Sequence, residues 1–574
     1  MMNNRQLADT FTLIGDLLEI KGEIIYKTLA YRKAAESLMG LGREASEYWK
    51  EGKLLEIPGV GKAIAEKIDE LLSTGKLGFL EKIKAEIPPS LAELLPVPSM
   101  GPKKIAMIWK TLGVTSLAEL EAAAKEGKLR DLPGMGAKSE TAILEGIASL
   151  GRRSTRIPLG RAYPRALEII GVLKKVKGVV DAQPGGSLRR MRPTIGDIDI
   201  LVSAKDSKPV MEAVVSLPRV LRVLGKGDTK ASVEFTDGVR AQVWVHPPKE
   251  FGTAFLYATG SKDHNVRLRE MALAKKLSLS DHSFLKQNGD EIFCDTEEEV
   301  YKILGLPWIP PEMREDRGEI QAAKAGKLPK LIEVKDIKAD LQTHSTWSDG
   351  KLSMLEMARA AAKRGIKVIA FTDHSVSLGV TQGLTMEDHK QQAAEIKKIQ
   401  KQLGDSILVL HASEVEIKAD GTLDYPDDFL ATLDLVVASL HTSLRQPRDK
   451  VTQRVINAIR NPHVDIIGHP TGRLIPDREG ADLDMDAVLE AAAQTGVAME
   501  INASPYRLDL EDVYARRAKE LGIPISINTD SHSEADFDML PYGVATARRA
   551  WLTKEDVINT WSTKKLLSWL KKRG

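Results

Sequence analysis

The sequence predicts a multidomain protein with an all-α N-terminal region, an α+β middle and a C-terminal α/β barrel. Three observations carry this expectation. Residues 1 to about 150 show helical periodicity broken by short Gly-Pro punctuation, with almost no strand pattern. From about 155 to 250, β-branched runs such as IDILV and VRAQVWV appear. Beyond about 335, short apolar strands alternate with helices (VIAFTDH, LDLVVASLH, VDIIGHP, VAMEINAS, IPISINTD). That rhythm is a parallel βα barrel, with polar residues at the strand C-terminal ends where such barrels keep their chemistry. At 574 residues the chain is too long for one ordinary core, which agrees with several domains.

In the helical region three short hairpins recur: IPGVGKAIAEKI (57–68), VPSMGPKKIAMI (97–108) and LPGMGAKSETAI (132–143). Each is Pro-[Gly/Ser]-x-Gly opening a helix. Gly59, Gly61, Gly101, Gly134 and Gly136 permit a tight turn whose backbone N–H groups face outward beside a helix N-terminus, ready for a phosphate oxygen. Such a contact reads no bases, so it grips a DNA backbone independently of sequence. One copy is usually only a turn. Three copies, two of them with Lys62, Lys103 and Lys104 alongside, favour helix-hairpin-helix motifs. Ser99 replaces the first glycine of the second copy.

Overall charge is uninformative: 82 Lys+Arg nearly balance 80 Asp+Glu, so nucleic-acid binding has to come from charge segregated by domain. The single cysteine, Cys294, forms no internal disulfide and reads as a small core residue in a reducing compartment. The opening MMNNRQLADT lacks a signal pattern, and no apolar run is long enough for a bilayer. The expectation is a cytoplasmic, membrane-free monomer.

The middle region carries the first cluster of chemistry. In GGSLRRMRPTIGDIDILV (185–202), Asp197 and Asp199 fall on one face of a strand, after a Gly-Ser turn and Arg190. The turn and Arg190 suit a triphosphate, and the carboxylates suit Mg²⁺ bridging its oxygens. A second strand, GVRAQVWVHPP (238–248), puts Gln242 on its polar face. Downstream comes YATGSKDHNVRLR (257–269).

In this order the motifs resemble the family-X DNA polymerases, the group used in base-excision repair and gap filling. The resemblance covers residues 1 to about 315 and implies a lyase-like DNA-binding helical domain (1–85), helix-hairpin-helix fingers (86–150), a nucleotidyltransferase palm (151–248) and a thumb (249–317), with a linker at 318–334. The Pro-rich, charged stretch 305–332 reads as surface-wrapped linker. By the resemblance, Asp197 and Asp199 ligate both Mg²⁺ or Mn²⁺ ions, and Ser187, Arg190 and Gly196 contact the triphosphate. Tyr257, Thr259 and Gly260 line the sugar, and Asn265 and Arg269 lie near nucleotide and template. Lys67 falls at the family's Schiff-base lysine, with Lys27 and Tyr31 near a 5′-phosphate. A lysine in a basic helix is more often a solvated phosphate contact.

This chain departs from the family at three points. The third carboxylate of the family's palm, which helps bind the catalytic metal and takes the proton of the primer 3′-OH, is replaced by Gln242. An amide ligates a cation weakly and cannot act as a base. Met191 stands for a usual glycine and Ala258 for an aromatic residue beside the sugar. Asp237, in the turn before the strand, is poorly placed to substitute.

The C-terminal region carries a second cluster in DLQTHSTWSDG (340–350), FTDHS, SEVEI, SLHTS, GHP and NTDSH, each setting His, Asp or Glu at a strand end. Histidine with carboxylate favours Zn²⁺, Mn²⁺ or Fe²⁺ over Mg²⁺. Lone histidines such as His389, His411 and His463 read as structural or solvated. The series resembles the PHP (polymerase and histidinol phosphatase) domain, a metal-dependent phosphoesterase with a distorted (βα)7-type barrel, over 335–574. By that resemblance the ligands of two or three Mn²⁺ or Zn²⁺ ions are His344, Asp349, His374, Glu414, His441, His469, Asp530 and His532. Gln342 stands at the first position of a usual His-x-His. Arg473 is a candidate phosphate contact.

A repair-type palm joined to a PHP barrel resembles the bacterial family-X polymerases. That implies gapped or nicked duplex DNA with 5′-phosphate ends and dNTPs as partners, and metal-dependent 3′–5′ exonuclease or 3′-end processing by the barrel. The favoured expectation is an active nuclease with a palm impaired by Gln242. A fully active gap-filling polymerase with proofreading, and a non-catalytic gap-binding scaffold, remain as alternatives.

Overall fold

The computed structural model of the protein describes residues 2–97, 100–150 and 156–571. The chain divides into two compact units, residues 1–155 and 156–574.

The first unit is helical. Helix α1 (Asn4–Lys21) begins with a reciprocal cap between Asn3 and Gln6 and packs on α2 (Ile25–Met39). Leu7, Phe11, Ile14 and Leu18 recur at helical spacing on α1 and are buried, forming the stripe that nucleates this core. The three hairpins open α3 (Lys62–Thr74), α4 (Pro102–Leu112) and α5 (Ala137–Leu150). They share one turn: Val60, Met100 and Met135 donate backbone N–H to Ile57, Val97 and Leu132 at 3.1, 3.1 and 3.0 Å. Gly59 and Gly134 take φ of +75° and +71°, where a side chain is disfavoured. Ser99, at the equivalent position, lies outside the described residues.

The second unit begins with a five-stranded sheet. Its strands are β1 (Val179–Pro184), β2 (Ile198–Ala204), β3 (Val220–Lys226), β4 (Lys230–Phe235) and β5 (Arg240–His246), in the order β1-β2-β5-β4-β3. β2 and β5 are parallel and in register, with Asp199 opposite Gln242. Along β5 the odd-numbered residues are buried and the even-numbered half-buried, the alternation of a strand with one face on the core. Helix α6 (Leu159–Leu173) covers that core with Leu159, Ala162, Ala166 and Leu173.

The expectation of a surface-wrapped linker over 305–332 is corrected by the structure. Ile309, Met313, Ile320, Ala323 and Leu331 are buried, and a helix spans Glu319–Lys324. Arg314, fully buried, forms a two-pronged ion pair with Glu297 at 2.6 and 3.0 Å. The prolines break the helical pattern, but the apolar residues between them still find a core.

Seven parallel strands follow in sequence order: β6 (Ala339–Thr343), β7 (Val368–Phe371), β8 (Leu408–Glu416), β9 (Leu435–Ser439), β10 (Ile466–Gly468), β11 (Ala498–Asn502) and β12 (Ile525–Asn528). The ring nearly closes: His344 N–H donates to Ser531 at 2.9 Å and Asp530 N–H to Gln342 at 3.1 Å. Inside, Leu341, Val368, Ala370 and Val437 pack with Ile558, Leu566 and Leu570, so the interior is a filled core. Among the described residues, no helix is long and apolar enough to cross a membrane.

Barrel and sheet share packing. The loop 503–511, leaving β11, places Leu508 in the core of the five-stranded sheet at 0% exposure. Its Pro505 lies against Gly160 so closely that a Cβ there would stand 2.5 Å from Pro505 Cγ. Nearby, buried Arg549 donates to Arg190 O at 2.8 Å and pairs with Glu315 and Asp512, both at 2.9 Å.

Candidate metal centres of the barrel and the palm

The strand ends of the barrel bring all eight expected histidines and acids into one cluster. Glu414, fully buried, stands at its middle: its carboxylate lies 2.9 Å from His469 Nε2, 3.3 Å from His441 Nε2, 3.2 Å from His374 Nδ1 and 3.4 Å from His344 Nε2. His344 Nε2 is 3.1 Å from Asp530 Oδ1, and His532 Nε2 is 3.2 Å from Asp349 Oδ1. Three overlapping sets have ligand atoms within 4.8 Å of one another: His344/Asp349/His374/His532, His374/Glu414/His441 and His344/Glu414/Asp530.

These atoms are near one another without being hydrogen-bonded. Both ring nitrogens of His344 and His469, Nδ1 of His374 and both Glu414 oxygens are buried with no hydrogen-bond partner. A buried polar atom in that state costs several kcal/mol, on the order of 1–3 each. So many lone pairs aimed at shared points fit divalent cations. Gln342 belongs to this group, with both amide atoms buried and unpartnered. A bulge between Asp340 and Thr343 in the β6–β7 ladder falls at this residue, and its Oε1 lies over Gly468.

The charges are strongly coupled. Burial opposes ionisation of Glu414, yet His441 holds it well below the usual carboxylate range. Burial likewise opposes the charged form of His441, but Glu414 and Glu416 outweigh it and push His441 up to about 9. Burial drives His374 down to about 3, already neutral and fit to ligate.

Four participants were not singled out in the sequence. Glu416 accepts from His441 Nδ1 at 2.8 Å, the carboxylate–histidine relation that orients a ligand. Asn502 donates to Asp530 at 3.0 Å, and buried Glu500 accepts the His469 N–H at 2.7 Å. The signal was available: SEVEI and MEIN are polar residues inside apolar strands. Arg507 carries no such signal. Its Nε lies 3.7 Å from Asp530 Oδ2, and its Nη1 is buried with no hydrogen-bond partner. Arg473, the expected phosphate contact, is instead spent on structure: it donates to Arg507 O at 2.6 Å, also to Leu508 O, and pairs with Glu511 at 2.6 Å. His389 is buried among His411, Tyr425 and Phe429.

The palm residues converge differently. The turn Gly185-Gly186-Ser187 wraps Asp199: Gly185 N–H donates to Asp199 O at 2.8 Å, and a Cβ on Gly186 would meet Asp199 Oδ2 at 2.1 Å. Burial, then the neighbouring Asp197, raises Asp199 to about 7. Gln242 Nε2 donates to Asp197 Oδ2 at 3.1 Å. Asp197 and Asp199 are two carboxylates that fit a cation. Met191 has φ of +53°, which explains a glycine preference there and costs on the order of 1 kcal/mol.

Thr259 is buried and accepts from Arg189 at 2.6 Å, while Asn265 donates to Tyr257 O at 2.8 Å. Arg190 donates to Thr259 O and pairs with Glu315 at 3.1 Å. Gly260 adjoins that guanidinium, a Cβ there standing 3.1 Å from Arg190 Nη1. Ser187 lies in the short helix Gly186–Arg189. Gly196, Tyr257 and Arg269 are exposed, and Ala258 is half-buried. Asp237 is engaged by Arg165 at 3.0 Å, away from the pair.

In the first unit, Lys67 and Lys27 reach the same Phe79 ring, 5.0 and 5.7 Å from its centroid, and Tyr31 stacks on it at 5.9 Å. Burial pushes the Tyr31 phenol up to about 12. Gly61, Lys62, Gly101, Lys103 and Gly134 are exposed, and Lys104 and Gly136 half-buried.

Comparison with known proteins agrees with this architecture. Family models match a helix-hairpin-helix domain at 2–77, a SAM-like helix-hairpin-helix tandem at 90–149, a DNA polymerase beta thumb at 254–315 and a PHP domain at 340–504. A DNA polymerase/3′–5′ exonuclease PolX of Bacillus subtilis (strain 168) is 38% identical over 574 residues, 100% of either chain. A probable phosphatase of Thermoanaerobacter sp. (strain X514) is 33% identical over 232 residues, 38% of this chain and 89% of that protein. Another, of Shewanella oneidensis, is 35% identical over 205 residues, 34% of this chain and 75% of its own. The chain belongs to the family-X DNA polymerases that carry a C-terminal PHP domain.

Proposed function

We propose that this protein trims 3′ ends of gapped or nicked DNA as a metal-dependent 3′–5′ exonuclease, and that its palm extends primers poorly. One observation carries the reading: both Glu414 oxygens, both ring nitrogens of His344 and His469 and Nδ1 of His374 are buried without hydrogen bonds, whereas in the palm Gln242 donates a hydrogen bond to Asp197. His344, Asp349, His374, Glu414, His441, His469, Asp530 and His532 hold two or three Mn²⁺ or Zn²⁺ ions, with Gln342 as a weaker oxygen ligand. Bound cations supply Lewis acidity toward the scissile phosphate and an activated water for in-line attack. Glu416 fixes His441, and Arg507 takes a non-bridging phosphate oxygen through its unpartnered Nη1.

In the palm, Asp197 and Asp199 hold a nucleotide-bound Mg²⁺ or Mn²⁺, but no side chain there takes the 3′-OH proton efficiently. Ser187, Arg190 and Gly196 face the triphosphate, Tyr257, Thr259 and Gly260 the sugar, and Asn265 and Arg269 the nucleotide and template. The three hairpin turns grip the DNA backbone, and Lys27, Tyr31 and Lys67 take the 5′-phosphate side of a gap. Lys67 donates to Ala63 O at 3.0 Å, and it serves as a phosphate contact or as a Schiff-base nucleophile. Borohydride trapping on abasic DNA distinguishes the two. The protein acts as a cytoplasmic monomer in this reading.

The test is incubation with Mn²⁺ and a one-nucleotide-gapped duplex labelled at the primer 5′ end, with and without dNTPs. A descending ladder indifferent to dNTPs is expected. Efficient one-nucleotide extension that appears only with dNTPs overturns the impaired palm and makes this a gap-filling polymerase with proofreading.

A further inference from the structure

A different cluster lies where β5 leaves the five-stranded sheet. Ligand atoms of His246, Glu250 and His282 fall within 4.8 Å of one another. His246 is the last residue of β5, Glu250 ends a short helical turn at Pro248–Glu250, and His282 comes from the turn between the strands Leu277–Leu279 and Phe284–Lys286. Three segments therefore converge.

We propose that His246, Glu250 and His282 form a binding site for a Zn²⁺-type divalent transition-metal ion, separate from the barrel and the palm pair. The donor set is two imidazoles and a carboxylate, the mixture that selects Zn²⁺ or its neighbours over Mg²⁺.

The geometry is prepared in the backbone. Thr253, fully buried, directs its hydroxyl to the carbonyls of both Glu250 and His282 at 2.9 Å each, clamping two ligand residues together. Pro247 and Pro248 stiffen the step from His246 to Glu250. Glu250 Oε2 already lies 3.0 Å from His282 Nδ1, and Asp281 stands 3.7 Å from His282 Nε2, where it can orient the ring. The His246 ring makes no hydrogen bond among the described residues and faces His282 with ring centroids 5.5 Å apart.

Ligands of a tetrahedral ion stand about 3.3 Å apart, given bonds of about 2.0–2.1 Å. Rotation of His282, 58% exposed, closes the remaining separation and leaves an outer position for water. The ion pins the small hairpin 277–286 to the end of the strand that carries Gln242.

Equilibrium dialysis of the chelator-stripped full-length chain against Zn²⁺ tests this, comparing wild type with His282→Ala and Glu250→Gln. Each variant is expected to lose one bound equivalent while keeping the remaining ions and the metal-free melting temperature. Co²⁺ substitution gives the second readout, one component of the visible spectrum disappearing in both variants. Equal stoichiometry and unchanged spectra in all three proteins overturn the proposal, reducing the cluster to a surface ion pair between His282 and Glu250. The result is independent of nuclease activity, so it stands or falls apart from the proposed function.

Discussion

Barrel and palm both gather carboxylates for divalent cations, yet they stand in opposite states of satisfaction. In the barrel, ring nitrogens of His344, His374 and His469 and both Glu414 oxygens are buried without hydrogen bonds. In the palm, the side chain at the third position has become an amide that donates to Asp197 at 3.1 Å. A hydrogen-bonded cluster is stable by itself, and an orphaned one needs its ions. On the proposed reading, the difference separates a centre that depends on its ions from one in which an amide partly takes their place.

The sharpest way to break the comparison is Glu414→Gln. This side chain faces four histidines, so nuclease turnover should fall about 10³-fold, with fewer ions retained. Single-turnover digestion and elemental analysis measure it, and activity within tenfold of wild type would remove Glu414 from the centre. The reciprocal change, Gln242→Asp, restores a base and a ligand to the palm. It should raise dNTP-dependent extension about 10²-fold. No gain in a primer-extension assay would mean that Met191 or Ala258, and not Gln242, limits the palm.

Glu416→Gln leaves every direct ligand in place but weakens the carboxylate that orients His441. Metal affinity in a chelator competition should drop about 10–100-fold. The smallest effect lies between the two centres. Arg549 holds Glu315 and Asp512 well below the usual carboxylate range against the pull of burial. Folded-state values below the unfolded ones give stability that is complete above about pH 5 and lost as pH falls toward the folded values. The urea midpoint of wild type relative to Arg549→Met should therefore be highest above about pH 5 and fall toward that of the variant, which has already lost the pair, as pH drops below it.

Much of this was legible in the sequence. Parallel strands of period-free apolar residues ending in His or Asp announce a barrel and most of the side chains that cluster at its strand ends. The substitution at Gln242 is visible because strand alternation fixes which face it occupies. Gln342 was visible as a ligand position, but its lack of any hydrogen-bond partner was not, since that depends on what the neighbouring strands bring. Arg507 was invisible for a similar reason: it sits in a loop with no periodicity, and its place beside Asp530 follows from where Leu508 is anchored. The stretch 305–332 misled because prolines mark irregular backbone and say nothing about burial.

The loop 503–511 reaches in two directions with adjacent residues, Arg507 toward the histidine cluster and Leu508 into the core of the five-stranded sheet. A chain cut at the expected domain boundary would leave Leu508 and Pro505 bare to water and the loop unmoored. What sequence comparison treats as a detachable module is, on this face, one half of a joint whose other half is encoded some 340 residues earlier, at Gly160.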